Sequence, residues 1–580
     1  MMPKTKPSPL LPLGLAALVI GGSVGAYYAF VSKRSVEGLP AGATVLPEDV
    51  MVALSVSTEP KQWERLQQYG TPDSKVALDK FLQGWRDRFF TDKGYDFQKD
   101  IQPWVGDKAM LAWLPHQTLA SGQAPQPGTP LASPNQSALV AVLPIADPAK
   151  AQEILAQPRL LAEGEVLERT YRGINIIESQ NTSVEKNYAV AVLGREFVVV
   201  ANDTSALDRI IDAYRGEASL GKIPGYASAL QKIEVPRSFA QVYLNVPVAA
   251  NVASFTSSQP IPSENLAKLQ QTQGFASNVI LEPEGLAFKG VSWLKPNSQK
   301  TLAVENRAKN MLKRVPDSAI MVVSGGNLQQ LWQDYTEGAQ GNPIAPFNPD
   351  ALAKSLKQST GLELEKDFLN WMDGEFALSL IPANPDKENP QKFSAGFALM
   401  AQVSDRKAAE ASLQKLDESV KAQNFQVGEA KIKDQSVTKW TSPYGGFTVM
   451  RGWLENNVLY MTLGAPIAYQ FLPTPEVSVV TDPLFKQTLP PEPNPNNGNF
   501  FMNVDQAFDR QNLSLPQLPP QQQVWVNAIQ SIGVTAAVAN DRTTRYDTFV
   551  RLKTANPVET EDQANPEGSD PDAGNEETKN

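Results

Sequence analysis

The sequence predicts an α+β fold, in which an N-terminal transmembrane helix is followed by two homologous copies of an antiparallel sheet with helices packed on one face. Three observations predict it. An uncharged apolar run of 22 residues lies near the start of the chain. Short apolar segments are joined by tight turns, which favours antiparallel pairing of strands. The same ordered set of segments then occurs twice.

The first predicted element is the apolar run from Leu10 to Val31, which ends just before Lys33 and Arg34. As a helix it spans about 33 Å, enough to cross a hydrocarbon core of about 30 Å. A secretory signal peptide has a shorter apolar region, so we expect an uncleaved anchor, with a cleaved signal as the alternative. Lysines on both sides leave the charge bias nearly balanced. The short N-terminal tail favours an exported body.

The body repeats itself between Leu46 and Leu552. The segment LPEDVMVALSVSTEPKQWERLQQYG, from Leu46, matches VPDSAIMVVSGGNLQQLWQDYTEG, from Val315, and further matches follow in the same order. The sequence therefore predicts two α+β repeats, over residues 46–295 and 315–552, with a connecting helix between them at 296–314. The remaining predicted segments are an N-terminal tail (1–9), the anchor (10–31), a linker (32–45) and a disordered acidic tail (553–580).

Turn chemistry within a copy predicts hairpins. Gly194-Arg195-Glu196 separates two apolar runs, and Glu282-Pro283-Glu284-Gly285 separates two more. Between Leu207 and Tyr214, apolar residues recur at the spacing of one helix face. Strands joined by short turns pair antiparallel, whereas a doubly wound sheet needs a helical crossover after nearly every strand, so we expect an α+β fold.

Composition excludes several classes of function. The chain has no cysteine, which removes disulfides and thiolate metal sites, and its single histidine, His116, leaves few metal or acid–base arrangements. A net charge of -10 speaks against nucleic acid as a partner. Much of that charge lies after Ala555, where the composition predicts a solvated tail. We predict no metal ion, no cofactor and no catalytic residue.

The most specific repeated motif is Lys-Asp-x-x-x-Trp followed by a glycine. Its residues are Lys99, Asp100, Trp104 and Gly106 in the first copy and Lys366, Asp367, Trp371 and Gly374 in the second. On a helical turn the aspartate and tryptophan share a face, so we interpret the motif as structural, with a carboxylate that caps locally and an indole that locks the helix to the sheet. The alternative is paired carboxylates for acid–base chemistry, Asp100 with Asp107 and Asp367 with Asp373.

This repeated block, behind an N-terminal anchor and a first strand followed by a Trp-bearing helix, resembles the cyanobacterial membrane-anchored proteins catalogued as Domain of Unknown Function 3352. The likeness covers most of Leu46 to Leu552. The resemblance implies a photosynthetic bacterium and a membrane location, with the body in the periplasm or thylakoid lumen. It implies no reaction.

Three classes of function stay open. We expect a non-catalytic, single-pass interaction or accessory protein of the cell envelope or thylakoid membrane, which contacts the membrane through Leu10 to Val31 and binds a protein partner. The alternative is a lipid or pigment carrier with an apolar cavity, and a third class is a carboxylate-based hydrolase. An enclosed apolar pocket larger than about 300 Å³ favours the carrier, and a cleft that joins two acidic side chains favours the enzyme.

Overall fold

The computed structural model describes eleven stretches of the 580-residue chain, and its strands form one antiparallel sheet of 20 strands. The described residues are 39–91, 94–122, 137–155, 165–180, 188–256, 261–339, 348–383, 394–444, 447–455, 457–509 and 518–554. The first ten strands are β1 (Val52–Ser57), β2 (Lys108–Leu114), β3 (Ala138–Pro144), β4 (Glu165–Tyr171), β5 (Ile174–Gln180), β6 (Tyr188–Leu193), β7 (Phe197–Ala201), β8 (Ala240–Asn245), β9 (Thr272–Glu282) and β10 (Gly285–Leu294). The other ten are β11 (Met321–Gly325), β12 (Phe376–Pro382), β13 (Ala395–Gln402), β14 (Gln426–Ile432), β15 (Gln435–Thr441), β16 (Thr448–Leu454), β17 (Val458–Gly464), β18 (Gly498–Asn503), β19 (Ile529–Asn540) and β20 (Thr543–Leu552).

The α-helices of the described residues flank this sheet. In the first half they are α1 (Pro60–Leu66), α2 (Pro72–Phe89), α3 (Gln117–Ala120), α4 (Pro148–Leu155), α5 (Thr204–Tyr214), α6 (Tyr226–Gln231), α7 (Val246–Thr256) and α8 (Ser263–Leu269). In the second half they are α9 (Leu328–Ala339), α10 (Pro349–Thr360), α11 (Arg406–Ala422), α12 (Pro483–Thr488), α13 (Val504–Phe508) and α14 (Pro520–Asn527).

The same strand order recurs in both halves. Hydrogen-bonded neighbours run β4-β5-β6-β7-β3-β2-β1-β8-β9-β10 in the first half. They run β14-β15-β16-β17-β13-β12-β11-β18-β19-β20 in the second. Each half therefore ends in a long hairpin, and these two hairpins meet.

The junction is the antiparallel pairing of β10 with β20. Its register runs from Gly285 opposite Arg551 to Trp293 opposite Thr543, with Lys289 opposite Asp547 at the centre. Lys289 and Asp547 are each the fifth residue of their strand. The pair therefore lies on the pseudo-twofold axis that relates the two halves of the sheet.

The predicted two copies of an antiparallel sheet are corrected to one sheet, because β10 and β20 join the halves. A strand at the edge of a sheet exposes unpaired N–H and C=O groups, and pairing the two equivalent edges satisfies both. Beneath the junction, Phe239 and Phe288 of the first half pack in one apolar cluster with Ile529 and Val550 of the second. The two halves thus share a core.

The prediction that helices cover only one face of the sheet was also wrong. On one face of β3, Val140 and Val142 share a core cluster with Ile210 of α5. On the other face, Leu139 and Ala141 pack with Phe89 of α2. Layers on both faces bury six consecutive residues of β3, from Ala138 to Leu143.

The predicted fold class also began with a transmembrane helix over Leu10 to Val31. That segment lies outside the described residues. None of the helices that the structure does describe is long and apolar enough to cross a membrane. The structure gives this part of the predicted fold class no support, and the fold class is corrected to a 20-stranded sheet with helices on both faces.

The segments around the two halves also differ in detail from their predictions. The connection predicted to be helical over residues 296–314 is helical only at Met311–Arg314. Of the predicted linker, Ala43 and Val45 are buried in the core of the first half. Of the predicted acidic tail, Lys553 is tied to Gly70 by a backbone hydrogen bond of 2.6 Å, and residues 555–580 lie outside the described part.

Candidate functional site

The first copy of the repeated motif is a self-contained turn. Asp96 precedes a short helical turn, Phe97–Ile101. The carboxylate of Asp100 accepts a hydrogen bond of 2.9 Å from the N–H of Asp96, and the indole Nε1 of Trp104 donates one of 2.6 Å to the carbonyl of Asp100. Trp104 is fully buried, whereas Lys99 is exposed.

The second copy has the same geometry. The carboxylate of Asp367 accepts a hydrogen bond of 2.8 Å from the N–H of Glu363, and the indole of Trp371 donates one of 2.7 Å to the carbonyl of Asp367. Lys366 is exposed. In both copies the aspartate closes its own turn and the indole fixes that turn against the sheet. Asp107 and Asp373, the second members of the two proposed carboxylate pairs, are exposed on the loops that follow these turns.

The motif glycines lie where two backbone segments pass closely. The N–H of Gly106 donates to the carbonyl of Pro144 at 2.8 Å, and its own carbonyl accepts from the hydroxyl of Thr58 at 2.6 Å. A Cβ added to Gly374 meets the carbonyl oxygen of Gln402 at 2.8 Å. The position of Gly374 therefore excludes a side chain, and the hydrogen bonds of Gly106 bind the end of the motif to residues at the ends of neighbouring strands.

A groove of about 620 Å³ lies at the junction of the two halves. The paired residues Ala287 and Phe549 line it, together with the β9–β10 turn and residues 486–492, which form the end of α12 and the segment after it. A smaller cavity of about 290 Å³, lined by Val291 and Arg545, takes the equivalent position across the pseudo-twofold axis. Ala287 and Arg545 are the third residues of β10 and β20, so the small side chain is on the roomier side of the axis.

Two acidic residues of the groove lining, Asp547 and Glu284, are paired with arginines. Asp547 is buried and receives two hydrogen bonds of 3.0 Å from the guanidinium of Arg545, while the ammonium of Lys289 lies 3.9 Å away. Burial raises the pKa of the Asp547 carboxyl, Arg545 and Lys289 lower it, and Glu492 raises it further. At the rim, Glu284 pairs with Arg551 at 2.5 Å.

This arrangement disfavours both functions that were predicted to need a pocket or cleft, the carrier of apolar molecules and the carboxylate-based hydrolase. The groove is open to solvent and has charged residues in its lining, whereas a carrier of apolar molecules encloses its cargo. It does gather acidic side chains, but Asp547 and Glu284 are held in ion pairs with arginines, which favours a structural role over proton transfer. Among the described residues, no group of three or more His, Asp or Glu is arranged to hold a metal ion.

The second half has an exposed apolar area on the face of five neighbouring strands, which we call the five-strand surface. It consists of two rows of residues that lie directly opposite each other on β18, β11, β12, β13 and β17. The first row is Met502, Met321, Leu380, Phe397 and Leu463. The second row is Phe500, Val323, Leu378, Leu399 and Met461.

None of these ten side chains is fully buried. Leu378 is 36% exposed, Phe397 44% and Leu463 45%. Val323, Leu399 and Met461 of the second row pack at the edge of the core that contains α11. Scattered exposed leucines are normal on a soluble protein, but exposed apolar residues on adjacent strands, continuous with such a row, are typical of an interaction site. No sequence-based prediction covered these residues. The available signal was that β12 and β13 read as apolar on both faces, which indicates that something covers each face.

Of protein families, curated proteins and solved structures, only a protein family gives an informative match to this chain. A family model described as "Protein of unknown function (DUF3352)" matches residues 13–552. No curated protein matches the sequence. Among solved structures, crystal forms IV, III and I of TP0453 have 11%, 12% and 11% sequence identity, each with a TM-score of 0.24. The matches cover 44%, 46% and 46% of this chain and 81%, 82% and 81% of those chains. A likeness this weak carries no argument about fold or function.

Proposed function

The chain belongs to the family of unknown function DUF3352, and from that premise, which supplies no activity, we propose that it is a non-catalytic interaction protein that binds a partner protein on the five-strand surface. The observation that carries the proposal is the pair of cross-strand apolar rows. In the described part of the chain Leu378, Phe397 and Leu463 of these rows are exposed, whereas α2 covers the equivalent strands of the first half. The exported location and the cyanobacterial source stay predictions.

Burial of this surface supplies a driving force for association. Removing apolar area from water stabilises a complex by about 25 cal/mol per Å². Phe397 and Leu463 are direct cross-strand neighbours on β13 and β17, and Leu380 lies opposite Phe397 on β12. A partner that covers Phe397 therefore also covers the residues on either side of it, which concentrates the buried area at the centre of the surface.

Site-specific photo-crosslinking in cells that make the chain tests the proposal. A photoreactive phenylalanine analogue is placed at Phe397 and, as a matched control, at Val477, an exposed apolar residue outside the surface. We expect one discrete adduct with another protein from position 397 and none from position 477, and we expect Leu378→Asp to abolish it. Equal adducts at both positions, no adduct, or an adduct with the mass of two copies of this chain contradicts the proposal.

A second candidate function rests on the junction groove. Its volume of about 620 Å³ and its lining of Ala287 and Phe549 suit a ligand with both apolar and charged groups. Ala287→Arg places at this position the residue found on the other side of the axis, and it should fill the groove. Loss of a small molecule that co-purifies with the wild-type chain, as detected by mass spectrometry, would support this candidate.

A further inference from the structure

The first half has its own version of the five-strand surface. Leu111 and Trp113 of β2 lie opposite Ala141 and Leu139 of β3, and Ala141 lies opposite Val200 of β7. In the second half the same register positions are taken by Leu378, Leu380, Leu399, Phe397 and Met461. The two sets of residues therefore occupy equivalent places on equivalent strands.

In the first half a helix covers this place. The C-terminal part of α2 packs on it, with Phe89 in a cluster with Leu139 and Ala141. The rings of Trp85 and Trp113 meet edge to face with their centroids 5.7 Å apart. As a result Leu139 is 4% exposed, against 44% for its counterpart Phe397. Trp85 and Phe89 are four residues apart, so they share one face of the helix.

In the second half the corresponding helix lies elsewhere. Helix α10 has 12 residues, whereas α2 has 18. It rests against α11, where the side-chain amide of Gln423 donates a hydrogen bond of 2.6 Å to the carbonyl of Ser359, and its Leu356 packs on the core beside that helix. Of the counterparts of the residues that α2 covers, Leu399 and Met461 pack at the edge of this core, whereas Leu378 and Phe397 are exposed. Among the described residues, the place that α2 fills in the first half is therefore open over Leu378 of β12 and Phe397 of β13.

We infer that the partner element that binds the five-strand surface is an amphipathic α-helix with large apolar or aromatic residues four positions apart. The inference rests on the proposed function and specifies the partner. The surface is the face of a sheet, and its central strands are already paired on both sides, so a partner cannot bind it by adding a strand.

The surface also continues into an interface that a helix already makes. Met502, at its end, packs against the junction core, on which Trp63 and Leu66 of α1 lie. The indole of Trp63 donates a hydrogen bond of 2.7 Å to the carbonyl of Ser57, which holds α1 on the sheet. A helix from a partner extends this helical layer across the uncovered strands.

A peptide with the sequence of residues 71–90 of this chain, which comprises α2, serves as the probe. Labelled with fluorescein and titrated with the full chain, it should show saturable binding by fluorescence anisotropy. Phe397→Asp and, separately, Leu463→Asp in the chain should each weaken binding at least tenfold, whereas Val477→Asp should leave it unchanged. The same peptide with Trp85→Ala and Phe89→Ala should also bind at least tenfold more weakly.

Absence of saturable binding, or binding that neither Phe397→Asp nor Leu463→Asp weakens, overturns the inference. Thermal melting of both variants, one on β13 and one on β17, establishes that each is folded before it is scored. If crosslinking at position 397 succeeds while the peptide fails, the interaction function stands and the helical partner is refuted. If both fail, both are refuted.

Discussion

Replacement of Phe288 by alanine tests whether the two halves form one cooperative unit. Phe288 lies within the junction, on β10 opposite Thr548 of β20; it is 1% exposed and packs in the cluster shared by both halves. Loss of the buried ring costs about 2 to 3 kcal/mol of transfer free energy. The vacated volume of about 100 Å³ adds up to about 2 kcal/mol where the site does not collapse. We therefore expect Phe288→Ala to lower the free energy of unfolding by about 2 to 5 kcal/mol.

Because the cluster that contains Phe288 also contains Ile529 and Val550 of the second half, the substitution should destabilise both sides of the junction. Urea denaturation followed by hydrogen exchange and mass spectrometry measures peptides from each half separately. We expect the protection of both halves to fall together at a lower urea concentration. The control is Phe81→Ala, at a residue 36% exposed on α2, which should cost less than about 1 kcal/mol. Loss of protection in the first half alone would refute the shared core.

Three further substitutions test individual contacts. Burial lowers the pKa of Lys108 to about 8, so the folded state destabilises the charged amine; Lys108→Met should stabilise the chain by about 1 to 3 kcal/mol at pH 7. Between pH 8 and about 10.4 the amine of Lys108 is protonated in the unfolded chain but largely neutral in the folded chain, so the stability of the wild type rises with pH. The advantage of Lys108→Met over the wild type should therefore shrink over this range, as thermal melts at pH 7 and pH 9.5 would measure. Glu375→Ala removes an acceptor for the N–H groups of residues 309–311, at 2.6–2.8 Å, and should cost about 1 to 2 kcal/mol in urea denaturation. Gly225 and Gly216 both have positive φ, but only at Gly225 does an added Cβ meet the ring of Trp293, at 2.7 Å. Gly225→Ala should therefore destabilise the chain by at least about 1 kcal/mol more than Gly216→Ala. Equal melting temperatures of the two variants would contradict this.

Local chemistry was readable from the sequence. The turns at Gly194-Arg195-Glu196 and at Glu282 to Gly285 connect β6 to β7 and β9 to β10. The apolar spacing from Leu207 to Tyr214 lies within α5, whose N-cap, Asp203, accepts hydrogen bonds from the first-turn N–H groups. Turns, caps and periodicity depend on residues a few positions apart, so a single sequence carries them.

Long-range pairing was not readable. Lys289 and Asp547 are opposite each other across the junction, yet no local pattern says which edge strand meets which. The predicted cover on one face also ignored the six consecutive apolar residues of β3, a pattern typical of a strand buried on both faces.

The five-strand surface was out of reach for a different reason. The sequence shows Phe397 and Leu463 as apolar strand residues, which by itself predicts burial. Their exposure depends on where α10 comes to rest, and this is set by its packing against α11. The position of a short helix relative to a distant sheet is a property of the tertiary packing.

The charged pair on the pseudo-twofold axis distinguishes this chain from a dimer of identical subunits. In a dimer of two first halves, Lys289 would face a second Lys289, and in a dimer of two second halves a buried carboxylate would face its own copy. Like charges at directly opposed strand positions repel, whereas Lys289 and Asp547 attract. The edge strand of each half therefore pairs more favourably with the edge strand of the other half than with a copy of itself. Divergence of the two halves after duplication has in this way made the pairing of β10 with β20 specific.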